Sequence, residues 1–147
     1  MQRGRRLGFD FGDVRIGVAV SDHDCIMATP VETLLAKRED LWDRIFDLLA
    51  EYEPVHVYVG RPVHLSGNES DSTTKAELFA AELCDRFDID VTMIDERLST
   101  VSAQRSMREA GLTARESKGA IDQVAAVAIL EMAMDMEKSK EARDGID

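Results

Sequence analysis

Residues 6–22 read RLGFDFGDVRIGVAVSD. Two short apolar runs, 7–11 and 15–20, are separated by Gly12-Asp13, so the stretch predicts two strands joined by a tight turn. Inside the first run sits Asp10, with hydrophobic neighbours and with Gly8 and Gly12 close by. A carboxylate buried without a partner costs several kcal/mol or is forced to protonate. The hairpin therefore starts a sheet and also raises the question of what its acid holds.

Outward from the hairpin, MATPVETLLA predicts a third strand around 31–35. The period then changes: in REDLWDRIFDLLAEYE, Leu41, Ile45, Leu48, Leu49 and Tyr52 share one helical face, and Pro54 closes the helix. VHVYVG, at 55–60, is a continuous apolar run with the β-branched content of a buried parallel strand. A loop rich in Gly, Ser, Asn and Asp follows, then a helix with Ala76, Phe79, Ala80 and Leu83 inward. VTMI, at 91–94, is the fifth strand, and STVSAQRSMREAG predicts a helix stopped by Gly111. Thr113 to Glu116 matches a capping box that opens a last helical region, where Ile121, Ala125, Ala128, Ile129 and Met132 repeat at helical spacing. Three strands in a meander followed by βαβ crossovers make an α/β fold, a five-stranded mixed sheet with helices on both faces. The whole of 1–147 reads as one domain, with 1–6 and 138–147 expected to fray.

Hydrophobic residues at 44% and charged residues at 32% describe an ordinary soluble globular chain. No apolar run approaches the ~18 residues of a membrane span, and the start lacks a signal-peptide core. Cys25 and Cys84 have neither metal-ligand spacing nor a disulfide framework, which predicts a reducing cytoplasm. The net charge of −11 argues against broad non-specific binding to nucleic acid. Its distribution is uneven, however. Residues 97–118 carry five bases, Arg97 among them, against two acids, and Arg3, Arg5 and Arg6 make a second basic cluster.

Three further acids sit at the borders of apolar elements. The strand 91–94 ends on Asp95 and Glu96, and Asp122 precedes QVAAVAIL on the last helix. Positions 122, 125, 126 and 129 share one side of that helix, and its small alanines would let it lie close to the sheet. Converging carboxylates are ligands for Mg²⁺ or Mn²⁺, and such ions support phosphodiester hydrolysis. Taken singly, each acid has a plain alternative as a strand end or a helix N-terminal acid. Ser99 and Thr100 read as N-caps, and His56, alternating with valines, as structural.

LGFDFGDVRIGVAVSD, VYVGRP, DERLST and IDQVAAVAIL, in this order from Leu7 to Leu130, resemble the motif set of the YqgF family, also called RuvX, of bacterial RNase H-like nucleases. The resemblance implies an RNase H-like fold, a magnesium-dependent nuclease and a cytoplasmic role in 5′-end processing of pre-16S rRNA. It also brings the older label of Holliday junction resolvase. By position, the family's catalytic and metal-binding acids fall on Asp10, Glu96 and Asp122, with Asp95 the less favoured ligand. Arg15, Arg61 and Arg97 are the candidate substrate contacts, although Arg97 could equally pair with an acid beside it. Two positions depart from the family pattern: Val14 stands where a lysine is common, and Arg61 where a leucine is usual.

The leading expectation is a nuclease acting on an rRNA precursor. Resolution of branched DNA uses the same acids and favours a homodimer, whereas rRNA processing is compatible with a monomer and with ribosomal or assembly proteins as partners. A nucleotide binder of the actin and sugar-kinase kind and a non-catalytic RNA-binding module are the alternatives outside nuclease chemistry. The first would need two related domains; the second leaves three acids unexplained.

Overall fold

The computed structural model describes residues 2–61, 71–95 and 114–144. The five strands are β1 (Arg6–Phe11), β2 (Arg15–Ser21), β3 (Ala28–Leu35), β4 (His56–Arg61) and β5 (Val91–Asp95). Among the described residues three helices accompany them: α1 (Leu41–Tyr52), α2 (Asp71–Phe87) and α3 (Ala114–Asp144). The sheet order is β3-β2-β1-β4-β5, with β2 antiparallel to both neighbours and β1, β4 and β5 mutually parallel. It is the mixed sheet expected from the hairpin and the two crossovers. The helix predicted over 99–111 lies outside the described residues.

The central position of β1 explains its composition. A strand with neighbours on both sides and helices on both faces must be apolar at nearly every position, and Leu7 and Phe9 are fully buried. Alternate residues serve the two layers. Leu7, Phe9, Val57 and Val59 pack with Leu41, Ile45 and Leu48 of α1 and with Phe79 and Leu83 of α2. Phe79 meets Phe9 edge-on at 5.6 Å and stacks on Trp42 at 5.5 Å. On the other face, Ala19, Tyr58 and Ile94 pack against Ala126, Ile129, Leu130 and Ala133 of α3. Both crossovers run the same way along the sheet and so place α1 and α2 on one face, leaving the other to α3.

β3 begins earlier than the 31–35 expected, because Pro30 reads as a breaker in sequence. The structure tolerates it on an edge strand, at a register shift opposite Val18 and Ala19. α1 ends before Pro54 as predicted, through Glu53 in the left-handed region (φ 46°), whose N–H donates to the Leu49 carbonyl at 2.8 Å.

The N-terminal arginines do not form one cationic surface. Arg6 is only 1% exposed; its Nη2 and Nε donate to the two Glu137 carboxylate oxygens at 2.8 and 3.1 Å. Tyr58 donates to the same carboxylate at 2.7 Å. Arg3 pairs with Asp24, and Arg5 lies over the Tyr52 ring. α3 must continue past residue 136 to deliver Glu137, and its helical backbone runs on to Asp144, through most of the tail that polarity alone suggested would fray.

Candidate metal and nucleic-acid site

Asp10 lies at the C-terminal end of β1, on the face covered by α3, since Gly8 two residues earlier lies under Ala126 and Leu130. Its register partner across the hairpin is Gly17. A Cβ on Gly17 would lie 2.0 Å from the Asp122 carbonyl oxygen and 3.1 Å from the Asp122 Cβ. The backbone of α3 therefore rests directly on β2 at Gly17, and Asp122 stands beside the strand pair that carries Asp10. Register partners in an antiparallel pair sit about 5 Å apart at Cα, so the two acids share one small volume. One residue on, Gln123 Nε2 donates to Thr33 Oγ1 at 3.1 Å, and Thr33 is the partner of Gly17 on β3. That bond fixes the rotation of the helix about its axis.

The electrostatics reflect this crowding. Burial, and then the negative charge of Asp10, push the Asp122 carboxyl up to about 6, while the positive charge of Arg15 acts in the opposite sense. Arg15 opens β2 and by strand alternation occupies the same face as Gly17. Two oxygen-donor acids, one of them half-buried and destabilised by the other's charge, suit a hard divalent cation such as Mg²⁺ or Mn²⁺. Among the described residues no group of three or more potential ligands comes together.

The remaining predicted residues are placed differently. Asp95 ends β5, half-buried, but Ile94 belongs to the α3 layer and Met93 to the α1/α2 layer. By alternation Asp95 lies on the side of Met93, away from Asp10 and Asp122. Arg61 ends β4 opposite Asp95 in register, and its side chain lies outside the described set. Glu96, Arg97 and the basic stretch as far as 113 lie outside the described residues as well. His56 has partners within the sheet: its Nε2 is 2.7 Å from Thr92 Oγ1, its ring lies 4.6 Å from that of Tyr58, and burial lowers its pKa.

Sequence reasoning found the small alanines on the helix and Gly8 beside Asp10, but not the close approach of the helix at Gly17. Gly17 was legible as a glycine within an apolar strand, which marks a close backbone approach. The Gln123–Thr33 bond had no local signal, because its partners are ninety residues apart.

A family model described as "RuvX: Holliday junction resolvase" matches residues 4–136. The chain belongs to the RuvX family. A relative from Rhodococcus jostii (strain RHA1), named "Putative pre-16S rRNA nuclease", is 49% identical over 149 residues, covering 97% of this chain and 83% of the relative. One from Mycolicibacterium smegmatis with the same name is 49% identical over 152 residues, covering 99% and 89%. Among solved structures, T. thermophilus RuvC in complex with a Holliday junction substrate superposes with a TM-score of 0.60 at 17% identity, covering 91% of this chain and 96% of that one. The yeast mitochondrial Holliday junction resolvase Ydc2 gives 0.55 at 12% identity, covering 98% and 85%. At such identities the likeness is one of fold, and it identifies the RuvX sheet and helices as RNase H-like. No helix among the described residues is long and apolar enough to cross a membrane.

Proposed function

We propose that this RuvX-family chain is a divalent-metal-dependent nuclease that hydrolyses phosphodiester bonds in the 5′-end processing of pre-16S rRNA, in a cytoplasmic setting. The observation that carries the reading is the meeting of Asp10 and Asp122 over Gly17. Two carboxylates brought into one half-buried volume are a cost to the fold unless a cation joins them. Asp10, Asp122 and Glu96 would hold Mg²⁺ or Mn²⁺. Glu96 is preferred to Asp95 because Asp95 sits on the opposite face of the sheet. When bound, the ion supplies Lewis-acid activation of water and charge stabilisation at the phosphate.

The protein's own part is to position. Asp10 is fixed by the central strand, Asp122 by a helix held against β2 and β3, and neither moves without disturbing the core. Arg15, beside Asp122, offers a guanidinium to a phosphate oxygen. Arg61 and Arg97 are further candidates for flanking phosphates. Such contacts set the register of the strand without reading its sequence.

A second reading, resolution of branched DNA, is favoured by the description of the family model. One experiment separates the two: incubation with an rRNA precursor and with a four-way DNA junction, each with Mg²⁺, Mn²⁺ or EDTA. Metal-dependent cleavage of the precursor alone is expected. Asp10→Asn should abolish that cleavage while melting close to the native protein. Unchanged cleavage by the variant would remove Asp10 from the mechanism.

A further inference from the structure

The β1–β2 turn and the end of β3 leave two large apolar side chains in solvent. Val14 is 60% exposed and Leu35 is 58% exposed. They are neighbours: the Ala36 N–H donates to the Val14 carbonyl at 2.9 Å, and Leu35 is the register partner of Arg15. Together with Asp13, Lys37 and Arg38 they line a shallow groove of about 410 Å³. Leu35 is two residues beyond Thr33, so alternation puts it on the face of Gly17, Asp10 and Asp122. Strand spacing places it about 12 Å from Asp10, within a nucleotide or two along a bound strand.

The patch has cations at its border. Arg3, Arg6, Arg38, Arg44, Lys75 and Arg86 are each in an ion pair, Lys75 with Asp13 and Arg38 with Asp40. Among the described residues Arg5, Arg15, Lys37, Lys138 and Lys140 are in none of these pairs, and of them Arg15, the register partner of Leu35, and Lys37, in the groove, adjoin Val14 and Leu35. In a chain of net charge −11, an exposed apolar pair adjoined by Lys37 and by Arg15, whose charge also acts on Asp122, makes a surface suited to an anion that also carries flat apolar groups. That description fits an unpaired nucleotide. In a duplex the base faces are stacked away and only edges remain to be read, whereas an unstacked base can lay its face on an apolar side chain while its phosphates meet the cations.

We propose that Val14 and Leu35 form an apolar platform for the base of one unpaired nucleotide of the substrate strand, with Arg15 and Lys37 on the adjoining phosphates. The inference rests on the nuclease reading for its choice of ligand and adds to it a preference for a single-stranded segment beside the scissile bond. The valine, where a lysine is common, exchanges a phosphate contact for a base contact.

The test is binding, kept separate from cleavage. The Asp10→Asn protein and the same protein carrying Val14→Ser and Leu35→Ser are titrated, with Mg²⁺ present, against a short single-stranded RNA containing a fluorescent purine analogue. An abasic version of the same strand and a duplex are titrated alongside. Both serine substitutions are on exposed side chains, and a matching melting temperature shows the fold intact. The expected result is about tenfold weaker binding of the base-bearing strand on double substitution, with loss of the fluorescence change. The abasic strand should bind both proteins equally. Lys37→Ala should lower the salt dependence of binding without altering the preference for a base. Equal binding of base-bearing and abasic strands by the parent protein, or tighter binding of the duplex, overturns the platform. Base-dependent binding by a protein that proves unable to cut RNA would sink the nuclease reading and leave the platform standing.

Discussion

Gly17→Ala tests the construction of the site most directly. The new methyl would lie 2.0 Å from a backbone carbonyl oxygen of α3, and carbon atoms in proteins essentially never approach below 3.0 Å, so about 1 Å of movement is required. The obstacle is the backbone of a helix pinned by Ala126, Ile129 and Leu130, and the strand beneath is pinned on both edges. Neither can rotate a side chain out of the way. Overpacking of this kind typically costs 1–3 kcal/mol, and a rigid obstacle puts the substitution near the top, at about 3 kcal/mol. For a domain of this size that lowers Tm by roughly 6–12 °C. The same displacement separates Asp122 from Asp10 and stretches the Gln123–Thr33 bond, so calorimetry should show Mn²⁺ binding weakened about tenfold. Gly8→Ala is the control: its methyl would meet Ala126 O and Leu130 Cβ at 3.3 Å, a misfit of tenths of an ångström costing about 1 kcal/mol. If Gly17→Ala melts within about 2 °C of the native protein and binds metal as well as Gly8→Ala does, helix and strand are not in the contact described.

Further expectations concern the charges. Burial raises the Glu137 carboxyl, but hydrogen bonds from Arg6 and Tyr58 and the charge of Arg6 outweigh it and hold it below its ordinary value of 4.5. Its stabilising contribution is present above pH 4.5 and is lost as pH falls through the lower folded value. Glu137→Gln, which strands the Arg6 guanidinium, should cost about 3 kcal/mol at pH 7 and flatten the acid limb of a denaturation curve. Asp122 behaves in the opposite sense: its folded pKa of about 6 exceeds the ordinary 3.8, so stability present below pH 3.8 is lost as pH rises through 6. In EDTA at pH 7.5, Asp122→Asn should therefore melt above the native protein, and below about pH 4 the two should coincide. Glu96→Gln should weaken Mn²⁺ binding in calorimetry and Asp95→Asn should leave it unchanged; the reverse pattern would exchange their roles.

Hydrophobic periodicity is a local property, and where it was strong it located the elements. The apolar run around Asp10, the helical faces of 41–52 and 76–83, and VHVYVG each stated their own burial, because central strands and packed helix faces must be apolar over a few consecutive turns or pairs. Local signals failed where the decisive partner was distant. Arg3, Arg5 and Arg6 look alike in sequence, yet Arg6 is buried because Glu137 reaches it across 131 positions. The polar tail looked prone to fray, yet its helix begins with residues that the core needs.

The amino-acid sequence alone determined the order of the described elements, the apolar strand around Asp10 and the candidacy of Asp10, Asp95, Glu96 and Asp122, because each depends on near neighbours in the chain. Only the tertiary structure decided that Asp122 is set beside Asp10, through the glycine that lets a helix touch a strand. It alone put Asp95 on the far face, since strand parity has meaning only once both faces are assigned. It also turned Val14 and Leu35, two aliphatic residues twenty-one positions apart, into one exposed surface, because the register of β2 against β3 is a long-range property.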